Sequence, residues 1–137
     1  MKFTIFLDNK NDILEEDASL CYGHFKLEEN EVSVSFFEEK SCMIFLTLVN
    51  FLSFLKSKKE KNQWFYNWIG EGNGRRTPIR RKGKVITFYE KKEYSFDFFN
   101  FEKIVVQSVN EFLEKCKTLN PEIVNESAFK ALKNRLI

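Results

Sequence analysis

Apolar and polar residues alternate along several short stretches of this chain. At Val32–Phe37, Val32, Val34 and Phe36 interleave with Ser33, Ser35 and Phe37, the period of a half-buried strand. Leu20–Leu27 reads as its hairpin partner across a turn at Glu29-Asn30, because Asn tolerates positive φ. Lys2–Leu7 reads as a first strand and Gln63–Ile69, aromatic and alternating, as another. Lys84–Tyr89 and Glu93–Phe98 form a second hairpin turning at Lys91-Lys92. Two stretches read as loops: the acidic, Asn-rich Asp8–Asp17, and Gly70–Gly83, which holds four glycines and Pro78.

Helical spacing replaces alternation in two places. From Ser41, a residue able to cap a first turn, to about Lys56 nearly every position is apolar. Thr47, Asn50, Ser53 and Ser57 make one narrow polar stripe, so this central helix must be covered on most sides. A helix starting at Asn100 places Phe101, Ile104, Val105, Val109, Phe112, Leu113 and Cys116 on one face. Asn120-Pro121 stops it and opens a short last helix docked by Val124, Ala128, Phe129, Ala131 and Leu132. Strands outnumber helices and do not alternate with them. This order predicts an α+β domain spanning residues 1–137, with one central and two C-terminal helices. Its single sheet would hold about six strands, antiparallel or mixed.

Composition changes the picture little. The length is that of one domain, and 16 phenylalanines supply a large apolar payload for its core. Cys21, Cys42 and Cys116 are odd in number and lack CxxC spacing, which disfavours zinc and a disulfide framework and points to reduced thiols in a cytoplasmic protein. The apolar run Met1–Leu7 ends at Asp8, too short for the core of a secretion signal. The run Cys42–Leu55 falls short of the roughly 20 apolar residues a membrane span needs, so a buried helix and no membrane contact are expected.

Candidate chemistry is thin. The one histidine, His24, would have to anchor any Ser-His-Asp or Cys-His arrangement, and Cys21 lies three residues away, on the opposite strand face. Carboxylates occur in runs at predicted turns and strand ends, where water solvates them and leaves no dry pocket to raise a pKa. The glycine-rich run at residues 70–74 lacks the order of a phosphate-binding loop and opens no helix. No catalytic residue, metal site or cofactor is expected.

Charge is segregated. Residues 1–40 carry ten acids against four bases, a net of −6, while residues 41–97 carry twelve bases against five acids, a net of +7. Arg75, Arg76, Arg80, Arg81, Lys82 and Lys84 lie within ten residues with no acid among them. Three readings stay open for this basic loop: a solvated connection, an arginine patch gripping acidic groups of a protein, or a nucleic-acid-binding surface. Trp68 flanks it, but no aromatic side chain is interleaved to stack bases, so nucleic acid is the weaker alternative. Glu15, Glu16 and Asp17, with Glu28, Glu29 and Glu31, make an alternative acidic patch for a basic partner. Trp64, Tyr66 and Trp68 share one strand face while Phe65 and Ile69 point the other way. Core packing is the first reading of these aromatics, and the apolar surplus adds a contact surface or a homodimer interface as the alternative.

The strand–hairpin opening Met1–Phe37, the central helix Ser41–Lys56 and the aromatic strand Gln63–Ile69 before a basic loop give a pattern that resembles the small immunity proteins of bacterial polymorphic toxin systems, including contact-dependent growth inhibition. The resemblance implies a non-enzymatic cytoplasmic protein that binds and blocks one cognate toxin. It assigns no role to individual residues.

Overall fold

The computed structural model describes residues 1–15, 17–36, 41–57, 63–68 and 75–136, with the side chains of residues 15, 63–68, 75 and 76 outside that description. Glu16, the run 37–40 and the glycine-rich run 69–74 therefore lie outside the described residues. The fold is α+β and antiparallel, as expected. Its eight described strands divide into two four-stranded sheets where one sheet of about six was expected.

The first sheet contains β1 (Lys2–Leu7), β2 (Tyr22–Glu29), β3 (Val32–Ser35) and the short β4 (Cys42–Met43). β2 is central. One edge pairs with β1 from Lys2 opposite Glu28 to Leu7 opposite Gly23, and the other edge takes β3 and β4 in turn. The hairpin between β2 and β3 turns through Asn30, whose φ of 56° is the left-handed conformation expected there. Alternation sends Phe3, Phe25, Leu27 and Val34 into the core and turns Lys2, Phe6, His24 and Lys26 outward. Gly23 is required by space: a Cβ there would stand 1.9 Å from the Phe6 carbonyl oxygen and 2.8 Å from the Ile44 side chain.

The second sheet is a meander of β5 (Gln63–Trp68), β6 (Arg75–Lys82), β7 (Val85–Tyr89) and β8 (Glu93–Asp97). Two features divide the strands. Among the described residues β4 pairs only with β2, and it leads directly into a helix, which takes the chain away from the first sheet. Most of the expected basic loop is instead the strand β6, laddered to β5 and β7. Its alternation was hidden because its inward positions are Thr77, Ile79 and Arg81, only one of them apolar.

Among the described residues four helices complete the fold: α1 (Asp12–Glu15), α2 (Ile44–Ser57), α3 (Phe98–Leu119) and α4 (Ser127–Arg135). The expected loop Asp8–Asp17 contains α1, because Ile13 is buried and its carbonyl accepts from Asn120 Nδ2 at 2.9 Å. Ser41 does not cap α2; its hydroxyl donates to Asp8. The expected polar stripe of α2 fails at Thr47, which is fully buried. α3 starts two residues before Asn100, behind Asp97, and buries the expected face apart from half-buried Ile104. A 3-10 turn at Pro121–Asn125 precedes α4.

Phenylalanine rings join the two sheets. Phe88 of β7 packs at 5.2 Å on Phe36, just past β3, and at 5.2 Å on Phe101 of α3. Phe101 meets Phe51 of α2 at 6.1 Å, and Phe45 of α2 meets Phe112 of α3 at 5.5 Å. The buried residues of both sheets form one contiguous cluster. No described helix is long and apolar enough to cross a membrane.

Candidate interaction surface

The basic residues singled out by sequence sit mainly on β6, and the strand divides their roles. Arg80 and Lys82 alternate outward with half-buried Pro78, and both are exposed. Arg81 points the other way. Its guanidinium lies 4.0 Å over the Phe98 ring and 5.5 Å from that of Phe99, while Nε donates at 2.9 Å to the Gly83 carbonyl. Arg81 is thus bound to its own chain by cation–π and hydrogen-bond contacts. Lys84 lies in the tight turn to β7, where its carbonyl accepts from the Phe98 N–H at 2.7 Å. Gly83 takes φ +60° in that turn.

Arg75 and Arg76 open β6, with Arg75 opposite Trp68 and Arg76 opposite Asn67 in the β5 ladder. Trp64 and Tyr66 stand opposite Ile79 and Thr77. Whether the three aromatics of β5 serve as anchors rests on side chains outside the description.

The outer face of the second sheet is two-signed. From β6 to β8 it presents Arg80 and Lys82, then Val85, Thr87 and Tyr89, then Glu93, Ser95 and Asp97. The Thr87 and Ser95 hydroxyls share a 2.8 Å hydrogen bond across its middle. Val85 is 46% exposed. Two strand spacings, about 9.6 Å, separate the basic row from the acidic one. Among the described residues, Arg80, Lys82 and Lys84 make no ion pair. The acidic row, which the sequence did not associate with the basic one, comes from the meander that lays β8 two strands from β6.

Of the alternative acidic set, Glu16 and the Glu15 side chain lie outside the described residues, and the others are spread along the chain. Asp17 stands before the 3-10 turn Ala18–Leu20, where it accepts from the Ser19 N–H at 2.9 Å and the Ser19 hydroxyl at 2.8 Å. Those bonds hold its carboxyl below the ordinary range. Glu28, Glu29 and Glu31 lie at the far end of β2, about 23 Å from its start at ~3.3 Å per residue. Glu28 stands between Lys2 and Ser33 in the ladders.

His24 does have a carboxylate neighbour. Its Nδ1 is 3.6 Å from Asp8 Oδ1, and its ring stacks on Phe6 at 4.8 Å. Ser41 donates to the other oxygen of the same carboxylate, so the order is serine–aspartate–histidine. A nucleophilic triad needs the imidazole in the middle; here the carboxylate stands between the hydroxyl and the imidazole. This cluster joins residues 33 apart in sequence, and no spacing rule would have found it. All three cysteines are buried. Burial raises the Cys42 thiol to about 11 and the Cys116 thiol to about 12, far from the thiolate a nucleophile needs. No group of three or more His, Cys, Asp and Glu residues able to hold a metal occurs among the described residues. No family model, curated protein or solved structure matches the chain.

Proposed function

We propose that this chain is a protein-binding module of the immunity type, which binds and neutralises a cognate bacterial toxin in the cytoplasm through the outer face of its second sheet. One observation carries the reading: Arg80 and Lys82, without an ion pair among the described residues, form a row beside exposed Val85, with Glu93 and Asp97 two strands away. A face that carries both signs beside an exposed apolar residue suits another folded protein carrying the complementary pattern. It suits a polyanion less well, because a polyanion broad enough to cover the sheet would lie over the acidic row as well as the basic one. The pattern-level resemblance to immunity proteins supplies the class of partner.

Co-expression with the product of the adjacent upstream gene, followed by co-purification, tests the proposal. The expected result is a complex that Arg80→Glu with Lys82→Glu disrupts while the variant stays folded. A complex indifferent to that reversal would remove this face from the interface. A folded chain that captures no such partner but retains random DNA or RNA on a filter, with steep weakening as salt rises, would favour nucleic acid instead.

A further inference from the structure

The first sheet has an open edge. Among the described residues β1 pairs only with β2. The Asp8 N–H donates to the Tyr22 carbonyl at 3.0 Å, continuing the β1–β2 register by one residue. Directly opposed residues of an antiparallel pair alternate between hydrogen-bonded and non-hydrogen-bonded. The bonded positions of β1 are therefore Lys2, Thr4 and Phe6, with Asp8 beyond. Phe3, Ile5 and Leu7 direct their backbone N–H and C=O groups away from β2, and no described group bonds to them.

A groove runs along that edge. Its other wall is α3, and β1 and α3 run in the same direction. The first half, about 360 Å³, lies between Lys2–Ile5 and Ile104, Ser108 and Glu111. The second, about 570 Å³, lies between Ile5–Leu7 with Lys10 and Phe112, Lys115 and Leu119. The two halves share Ile5, Phe112 and Lys115 and so follow one another along the strand. The second half is the more apolar, and Phe6 and Leu119 on its rim are 38% and 44% exposed.

We infer that this groove receives an extended segment of a partner protein, which adds to β1 as a further strand of the first sheet. Outward N–H and C=O groups on alternate residues of an open edge are matched by the backbone of another strand. The wall chemistry specifies the segment. Lys2, Lys115 and Lys10 stand at the near end, middle and far end, against Glu111 and Glu114 on the helix. The fitting segment has apolar residues to lie against Phe6, Phe112 and Leu119, and acidic residues flanking them to meet Lys10 and Lys115. The same charges disfavour a second copy of this chain. In-register two-fold pairing of β1 with itself opposes Phe3 to Leu7 and has its axis at Ile5, which both halves of the groove share with Lys115, so the Lys115 walls of both copies meet at the same centre. The site is separate from the outer face of the second sheet and does not rest on its role.

The test is a selection of displayed random decapeptides against the folded full-length chain, followed by amide hydrogen exchange with each enriched peptide. In the free protein the amides of Phe3, Ile5 and Leu7 should exchange fast and those of Thr4 and Phe6 slowly. Enriched peptides should carry acidic residues flanking an apolar core and should slow exchange at Phe3, Ile5 and Leu7. Ile5→Pro removes one outward N–H and no ladder bond, and it should weaken binding at least tenfold. Leu119→Asp on the rim should do the same, which keeps the test decisive if the proline variant fails to fold. Arg80→Glu should leave peptide binding unchanged. The inference is overturned if no peptide is enriched, if enriched peptides leave the three amides fast, or if these amides are already slow in a sedimenting dimer.

Discussion

Arg81 and Arg80 are neighbours of the same type, yet removing them should have opposite consequences. Arg81→Ala deletes a guanidinium 4.0 Å above the Phe98 ring, a donor 2.9 Å from the Gly83 carbonyl, and the aliphatic stem. The cation–π contact is worth about 0.5–1 kcal/mol at a partly exposed site. A hydrogen bond to a backbone carbonyl adds about 1 kcal/mol net. Arg81→Ala should therefore cost about 2 kcal/mol. Arg81→Met, which keeps an apolar stem but loses the charge and the donor, should recover part of that. Arg80 is exposed without a described ion pair, so Arg80→Ala should stay within about 0.5 kcal/mol. Urea denaturation followed by tryptophan fluorescence measures all three, reading midpoint shifts at constant slope. Equal losses for Arg80→Ala and Arg81→Ala would refute the division of β6 into an inward and an outward row. So would an Arg81→Ala variant as stable as the parent.

Gly23→Ala should cost about 3 kcal/mol in a melt, because the new carbon must displace the Phe6 carbonyl or the whole β1 strand; Gly83→Ala, with open space but φ +60°, should cost only about 1 kcal/mol. Phe88→Ala removes the ring that joins both sheets to α3, and chemical denaturation should show a loss of about 3–5 kcal/mol. The buried thiols should resist a disulfide reagent in the native protein and react on unfolding. Their raised values set a sign for alkaline pH. Folded Cys42 and Cys116 hold their protons beyond the ordinary 9.0, so their contribution is complete below that pH and is lost as pH rises through about 11 and about 12. The decline in midpoint above pH 9 should be shallower in Cys42→Ala.

Legibility in the sequence followed how much of each pattern lay in apolar residues. The buried face of α3 could be read because Phe101, Val105, Val109, Phe112, Leu113 and Cys116 recur at helical spacing with polar residues between them. The turn at Asn30 could be read because positive φ favours so few side chains. β6 could not, since Thr77 and Arg81 occupy inward positions: Thr77 donates to Glu90 at 3.0 Å and Arg81 covers Phe98. Each polar group is satisfied by a residue outside the strand, and only the tertiary structure shows that partner. The same holds for Ser41, whose hydroxyl finds Asp8 instead of a helix terminus. The basic cluster was visible as composition, while its division between Arg81 and the outward pair depends on strand parity. The acidic set drew together Asp17, which caps a 3-10 turn before β2, and Glu28 and Glu29, at the far end of that strand.

The covering of β1 by α3 also has a consequence in time. The strands of the first sheet are synthesised by residue 43, whereas the helix that packs on β1 begins at residue 98. At ~5–20 residues per second, a ribosome needs roughly 3–11 s to make the roughly 55 residues between them. Through that interval the nascent chain holds Phe3 and the rest of β1 without the helix that later packs on that strand. The second meander, by contrast, pairs only strands adjacent in sequence and can form as it emerges. A stalled or truncated product lacking α3 would thus present a sticky half-sheet, and co-translational chaperones would be expected to engage the first third of the chain.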